Sequence, residues 1–382
     1  MKAELASQST SGAPATDRQN ADVTAWIAVA AGALGAMLAT LDISIVNSAL
    51  PVIQGEIGAS GTEGTWIATA FLVAEIVVIP LSAWLERLFG LRNLLIIAVS
   101  AFTGFSILCG VATDLTTMII GRTGQGFMGG ALIPTAMTIV AKRLPPHQQP
   151  IGMALFGMTV ILGPVMGPLI GGWLTENLSW HYAFFVNVPV CGLLLLFLFV
   201  GLPHEGPNWE YLTEADWAGI LGLILGLGAL TVLLEEGHRE EWFESSFIRW
   251  LTLIAVIGFS SLIYGQMNAP KPVLKLRLLL DRQFGSVAVM ALALGMVMYG
   301  STYVIPQFLA IISDYNAFQT GLVIFWMGIP AFLLMPVLPF MISRIHIRIA
   351  VGVGMLLMAI SCFVSISLTA QSGGAVFTEG QL

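Results

Sequence analysis

Polar residues interrupt this chain only at wide intervals. Apolar runs of about twenty residues lie near 26–50, 64–85, 93–113, 117–140, 151–174, 183–201, 215–235, 250–267, 283–311, 321–343 and 348–370. A helix of about twenty residues spans a hydrocarbon layer of roughly 30 Å, and only a helix satisfies its own backbone there. The pattern therefore predicts an all-α polytopic membrane protein of about eleven spans. Residues 1–25 are polar and read as a disordered cytoplasmic tail. The apolar run that follows is far longer than the core of a signal peptide.

Composition removes the soluble alternatives. Of 382 residues, 57% are hydrophobic and 10% charged, with mean hydropathy +0.87. A soluble domain needs roughly a quarter of its residues charged, so lipid is the solvent of this chain. The net charge of −7 is scattered over loops and implies no nucleic-acid partner. Cys109, Cys191 and Cys362 each lie inside an apolar run, which leaves no disulfide or metal framework. Lysine and arginine fix an expected orientation. With the amino terminus inside, 12 of 15 basic residues are cytoplasmic; Arg239 and Arg249 are external, and Arg122 lies within a span.

An internal repeat organises the runs. Pro51 and Pro306 are 255 residues apart and Pro80 and Pro336 are 256 apart; Arg92 and Arg348 follow the latter pair by 12 residues each. This predicts a six-span bundle over 26–201, two inserted spans with their loops over 202–282, and a partial second bundle of about three spans over 283–382. A full copy of the first half would end near residue 457, so a chain truncated after its eleventh span is expected.

Ionisable groups inside a bilayer are expensive, which makes them functional candidates. Asp42 lies deep in the first span, Glu75 in the second and Arg122 near the outer start of the fourth. Burial and a neighbouring arginine push a carboxyl's proton affinity in opposite directions. A group poised between them can bind a proton on one side and release it on the other. The same residues also suit a structural Asp–Arg pair that only ties helices together, and Asp42 and Glu75 are not ranked as proton carriers by sequence.

The fifth span repeats Gly163, Gly167 and Gly171 every four residues, with Pro164, Pro168 and Gly172 interleaved. The glycines make a flat face for close helix approach, and the prolines remove backbone donors. The turn 83–92 contains Glu86, Arg87, Gly90 and Arg92, a short basic segment between spans two and three. The five histidines fall in loops or at span ends, and no residues assemble into an enzymatic or metal-binding set.

These segments carry a resemblance. Leu41-Asp42-Ile43-Ser44-Ile45-Val46-Asn47-Ser48-Ala49-Leu50-Pro51, Arg122-Thr123-Gly124-Gln125-Gly126, the stretch 163–172 and Phe185-Val186-Asn187-Val188-Pro189 are similar, in this order, to motifs of the major facilitator superfamily. Within it they resemble those of the 14-span drug:proton antiporters of the EmrB/QacA type. The resemblance implies the major facilitator fold in a bacterial inner membrane. It implies proton-coupled efflux of small amphipathic substrates by alternating access, with no enzymatic activity and no cofactor. It gives Arg122 a part in proton transfer and the 163–172 helix an antiporter role. It also makes the turn 83–92 a gating loop, although Arg87 stands where the family has aspartate and Leu88 where it has arginine. A periplasmic adaptor and an outer-membrane channel are implied partners. Met37, Phe71, Gln125 and Phe127 are expected at the substrate cavity. A dedicated exporter of one endogenous metabolite and a non-transporting truncated module remain alternatives.

Overall fold

The computed structural model describes residues 20–312, 315, 323, 326, 328–330 and 332–364. Most of the expected tail, part of the expected span 321–343, the end of the last expected span (365–370) and residues 371–382 lie outside the described residues. The described residues form helices and connecting turns, without strands.

Residues 23–201 contain α1 (Val23–Glu56), α2 (Trp66–Phe89), α3 (Leu91–Gly110), α4 (Leu115–Gly129), α5 (Leu132–Arg143), α6 (Gln149–Asn177) and α7 (Asn187–Gly201). Two more long helices follow, α8 (Trp217–Glu236) and α9 (Ser246–Asn268), then α10 (Arg282–Ile312), α11 (Leu338–Arg344) and α12 (Ile347–Val364). Among the described residues, seven helical segments are long and apolar enough to cross a membrane.

The expected fourth span, 117–140, is two helices rather than one. Gly129 and Gly130 have low helix propensity, and Pro134 supplies no N–H for the Gly130 carbonyl. The ladder therefore breaks at Gly130–Ala131, and α5 resumes with Leu132.

Two apolar clusters hold α1 in the middle of the bundle. One joins Ala28, Leu38 and Ala39 to Phe102, Leu132, Ile139, Leu194 and Leu198, and the other joins Ile45, Val46 and Ile53 to Ile67, Met118 and Phe184. α1 is consequently buried over most of its length, while α9 shows lipid-type side chains such as Ile257 and Ile263 on its outer face.

α8 and α9 dock on α2. Ile220 and Leu223 of α8 and Leu262 of α9 pack with Val77 and Leu81. α8 and α9 meet backbone to backbone: a Cβ on Gly258 would stand 2.3 Å from the Gly226 nitrogen. Such close approach is how small residues associate helices in lipid, and Ser261 Oγ of α9 adds a bond to the Ala218 carbonyl of α8 at 2.8 Å. At the carboxyl-terminal end of α8, Glu236 pairs with Arg239 at 2.6 Å, and Arg239 donates to the Thr62 carbonyl at 2.8 Å.

Candidate functional site: a buried ion-pair network

Asp42 is fully buried on α1, and its partners come from α4 (Arg122 and Gln125) and from α7 (Asn187). Arg122 of α4 donates from Nη1 to Asp42 Oδ2 at 2.6 Å and to Gln125 Oε1 at 3.1 Å. Its Nε donates to the Ile67 carbonyl at 3.3 Å, and its guanidinium carbon lies 4.1 Å from the centre of the Phe71 ring. Gln125 Nε2 donates to Asp42 Oδ1 at 3.2 Å and to Ser106 Oγ at 2.9 Å. Asn187 Nδ2 donates to the same Asp42 oxygen at 2.6 Å and to Ser106 Oγ at 2.9 Å.

The site thus gives the Asp42 carboxyl three donors, and gives Arg122 three acceptors and a ring face. A buried charge pair is tolerated only with this degree of saturation. Glu75 is also buried, one turn along α2 from Phe71, without an ion-pair partner among the described residues. The chain end of α4 reaches it: a Cβ on Gly130 would meet the Glu75 carbonyl oxygen at 2.7 Å.

Ser106 is absent from the residues singled out by sequence, and Asn187 entered there only as part of the 185–189 motif, without a role. For Asn187 the available signal was a lone polar side chain inside the apolar run 183–201, which in lipid has to find a partner, whereas Ser106 shares its run with Ser100 and Thr103 and nothing local sets it apart. The four residues expected at the cavity do not share one environment. Phe71 and Gln125 are fully buried against Arg122 because the guanidinium needs a ring face and an acceptor. Phe127 is exposed and Met37 half-buried.

The glycine face of α6 lies along the helix that carries Asp42. A Cβ on Gly163 would stand 2.0 Å from Thr40 Oγ1, on Gly167 2.1 Å from Ser44 Cβ, and on Gly171 2.2 Å from Ser48 Oγ. α6 runs without interruption through Pro164 and Pro168, and Gly172 has no neighbour within 4 Å. On another side α6 reaches the second half of the chain, where a Cβ on Gly328 would meet Val165 Cγ2 at 2.4 Å and one on Gly157 would meet Met335 Cε at 2.6 Å.

The turn between α2 and α3 is clamped. Gly90 adopts φ 78°, a left-handed conformation that glycine takes without strain. Glu205, from the segment after α7, accepts from Leu91 N at 3.1 Å and caps α3. Asn208 N donates to the Leu88 carbonyl at 2.8 Å. Glu86 pairs with Lys142 at the end of α5 at 2.7 Å, Arg87 is exposed, and Arg92 lies 5.5 Å from the Phe199 ring centre.

A buried carboxylate and arginine shared by the helices of one bundle, with an adjacent glycine-proline helix facing the other half, define a polytopic transporter rather than an enzyme. Residues 32–378 match the Major Facilitator Superfamily, and the chain belongs to that superfamily. Within it the chain belongs with the EmrB-type proteins. It is 34% identical over 349 residues to the colistin resistance protein EmrB of Acinetobacter baumannii, covering 91% of this chain and 68% of that protein. It is 33% identical to the probable multidrug resistance protein EmrY of Escherichia coli, covering 91% and 67%. The multidrug export protein EmrB of Haemophilus influenzae is 32% identical, with 86% and 64% covered. The chain therefore spans about two thirds of the length of these relatives.

Solved structures agree on the fold. The human organic anion transporter MFSD10 (TETRAN) superposes with a TM-score of 0.60 at 18% identity, over 94% of this chain and 83% of that one. A peptide-bound transporter of the POT family superposes with a TM-score of 0.62 at 14% identity, over 92% and 80%.

Proposed function

We propose that this protein exports small amphipathic molecules across a bacterial inner membrane in exchange for protons, by alternating access. The observation that carries the reading is the fully buried Asp42–Arg122 pair, joined by Gln125 and flanked by the unpaired Glu75. Two carboxyls beside one arginine, in a site cut off from water, make a proton exchange site: one is saturated as the anion and the other is not. Arg122 supplies the counter-charge opposite Asp42. The drug-resistance names of the relatives support the substrate class. A periplasmic adaptor and an outer-membrane channel belong to the same proposal. So do a cytoplasmic amino terminus and the division into a six-span bundle (26–201), an inserted pair (202–282) and a partial second bundle (283–382).

The packing of Gly163, Gly167 and Gly171 on Thr40, Ser44 and Ser48 gives the proposal a mechanical element. A helix sealed against the Asp42 helix on one face, and against residues 328 and 335 on another, links the state of the carboxylate to the interface between the halves.

The test is substrate-induced proton release from vesicles. Asp42→Asn and Glu75→Gln are each expected to lower release at least tenfold while downhill substrate movement persists. Full release from both variants would remove the proposal.

A further inference from the structure

The buried network contains one polar atom with nothing to bind. Asn187 Oδ1 is enclosed and has no hydrogen-bond partner among the described residues, although its amide nitrogen makes two short bonds to Asp42 and Ser106. A buried acceptor left open in this way is costly and calls for an explanation. Its neighbour Gln125 is in the opposite situation. Gln125 Oε1 accepts from Arg122 Nη1 at 3.1 Å and from Cys109 Sγ at 3.4 Å, so its amide is locked with the nitrogen toward Asp42.

Protonating Asp42 on Oδ1 changes what these amides need. The new O–H is a donor, and the nitrogen of Asn187 facing it at 2.6 Å is a donor too. One of the two amides has to yield, and only that of Asn187 has an oxygen free to turn inward. We propose that Asn187 is a positioning residue that follows the protonation of Asp42 by turning its amide over. The inference rests on Asp42 as the proton carrier. In the turned state Asn187 Oδ1 accepts from the Asp42 O–H and from the Ser106 hydroxyl. Ser106 then gives up its bond to the Phe184 carbonyl, now 3.2 Å long, in the turn just before α7. Each orientation leaves one atom of the amide unpaired, so the proton on Asp42 decides between them.

The step balances simply. A proton from water on one side forms the O–H bond at Asp42 Oδ1, and the amide turns. On the other side that bond breaks, the proton leaves to water, and the amide returns. The charged and titratable groups around Asp42 are Arg122 from α4, Glu75 from α2, Cys109 from α3 and Cys191 from α7. α6 brings glycines 163 and 167 to this level. Asn187 is therefore the uncharged member free to respond to Asp42.

Infrared difference spectra of the full chain in lipid, recorded between acid and alkaline pH with isotope-labelled asparagine amides, read this directly and do not require transport. Asp42→Asn identifies the Asp42 carboxyl band, and Asn187→Gln identifies the Asn187 amide band. The expected result is an Asn187 amide shift with the same midpoint as the Asp42 carboxyl band, lost in Asp42→Asn. In Asn187→Leu the carboxyl midpoint is expected to move by about one pH unit, the size of effect one hydrogen bond to the charged form produces. An Asp42 band that titrates while the Asn187 amide band stays fixed overturns the inference and leaves the proton-carrier reading standing. A spectrum in which no band is lost in Asp42→Asn overturns both.

Discussion

Arg122 makes five contacts at once: Asp42, Gln125, the Ile67 carbonyl, the Phe71 ring and its own helix. Removing it alone leaves a buried carboxylate with only amide donors. Breaking one partner of a buried pair costs about 3–5 kcal/mol, whereas replacing both partners by neutral groups of similar shape is close to neutral. Arg122→Gln is therefore expected to lower thermal stability in mild detergent sharply. Asp42→Asn with Arg122→Gln is expected to recover most of the loss while proton release stays absent. If the double variant is as unstable as the single one, the pair is not the main electrostatic liability of the bundle. Asn187 and Ser106 belong to this scale as well, since the amide that follows the proton is a single side chain.

Helix pairs set the next scale, and the glycine face of α6 is the clearest case. A Cβ at Gly167 would fall 2.1 Å from Ser44 Cβ and 3.1 Å from the Ser44 backbone, with no room for a rotamer change to relieve it. Overpacking of that kind costs about 1–3 kcal/mol. Gly167→Ala is expected to lower both stability and transport, and Ser44→Gly in the same chain is expected to restore part of each. Gly172→Ala, with nothing within 4 Å, is the control and is expected to behave as the parent in thermal unfolding. The α2–α3 turn gives a second case. Gly90→Ala meets both a positive φ and the Glu205 Cβ at 2.9 Å. A left-handed residue with a side chain costs about 1–2 kcal/mol, so the variant is expected to unfold several degrees lower.

At the scale of the whole molecule, the inserted helices α8 and α9 sit on the outside of α2 and leave α1 and α4 in the middle with the ion pair. That arrangement keeps the charged site among protein atoms while the inserted pair meets lipid. Orientation is the property to measure here. In a background with the exposed Cys362 replaced by serine, Gly206→Cys and His238→Cys are expected to react with a membrane-impermeant thiol reagent from opposite sides. Residue 206 is expected on the cytoplasmic side. Cys109 and Cys191 are buried and stay silent. Labelling of both positions from one side would reverse the assignment of the loops.

What the sequence determined by itself is the solvent and the parts. Apolar run length is a local property, and the bilayer reads it one segment at a time, so the helices over 23–56, 66–89, 91–110 and 149–177 follow from the runs within a few residues. Asp42, Arg122 and the 163–172 glycines were visible because an ionisable or small residue in an apolar run has few other uses. Only the tertiary structure decided what those residues meet. Asp42 and Asn187 are 145 positions apart and Asp42 and Arg122 are 80 apart, and no periodicity along one helix specifies the rotation of another. The glycine face could have met any flat neighbour; packing set it against Thr40, Ser44 and Ser48. The open oxygen of Asn187 exists only because Gln125 and Ser106 arrive from two further helices to fix everything around it.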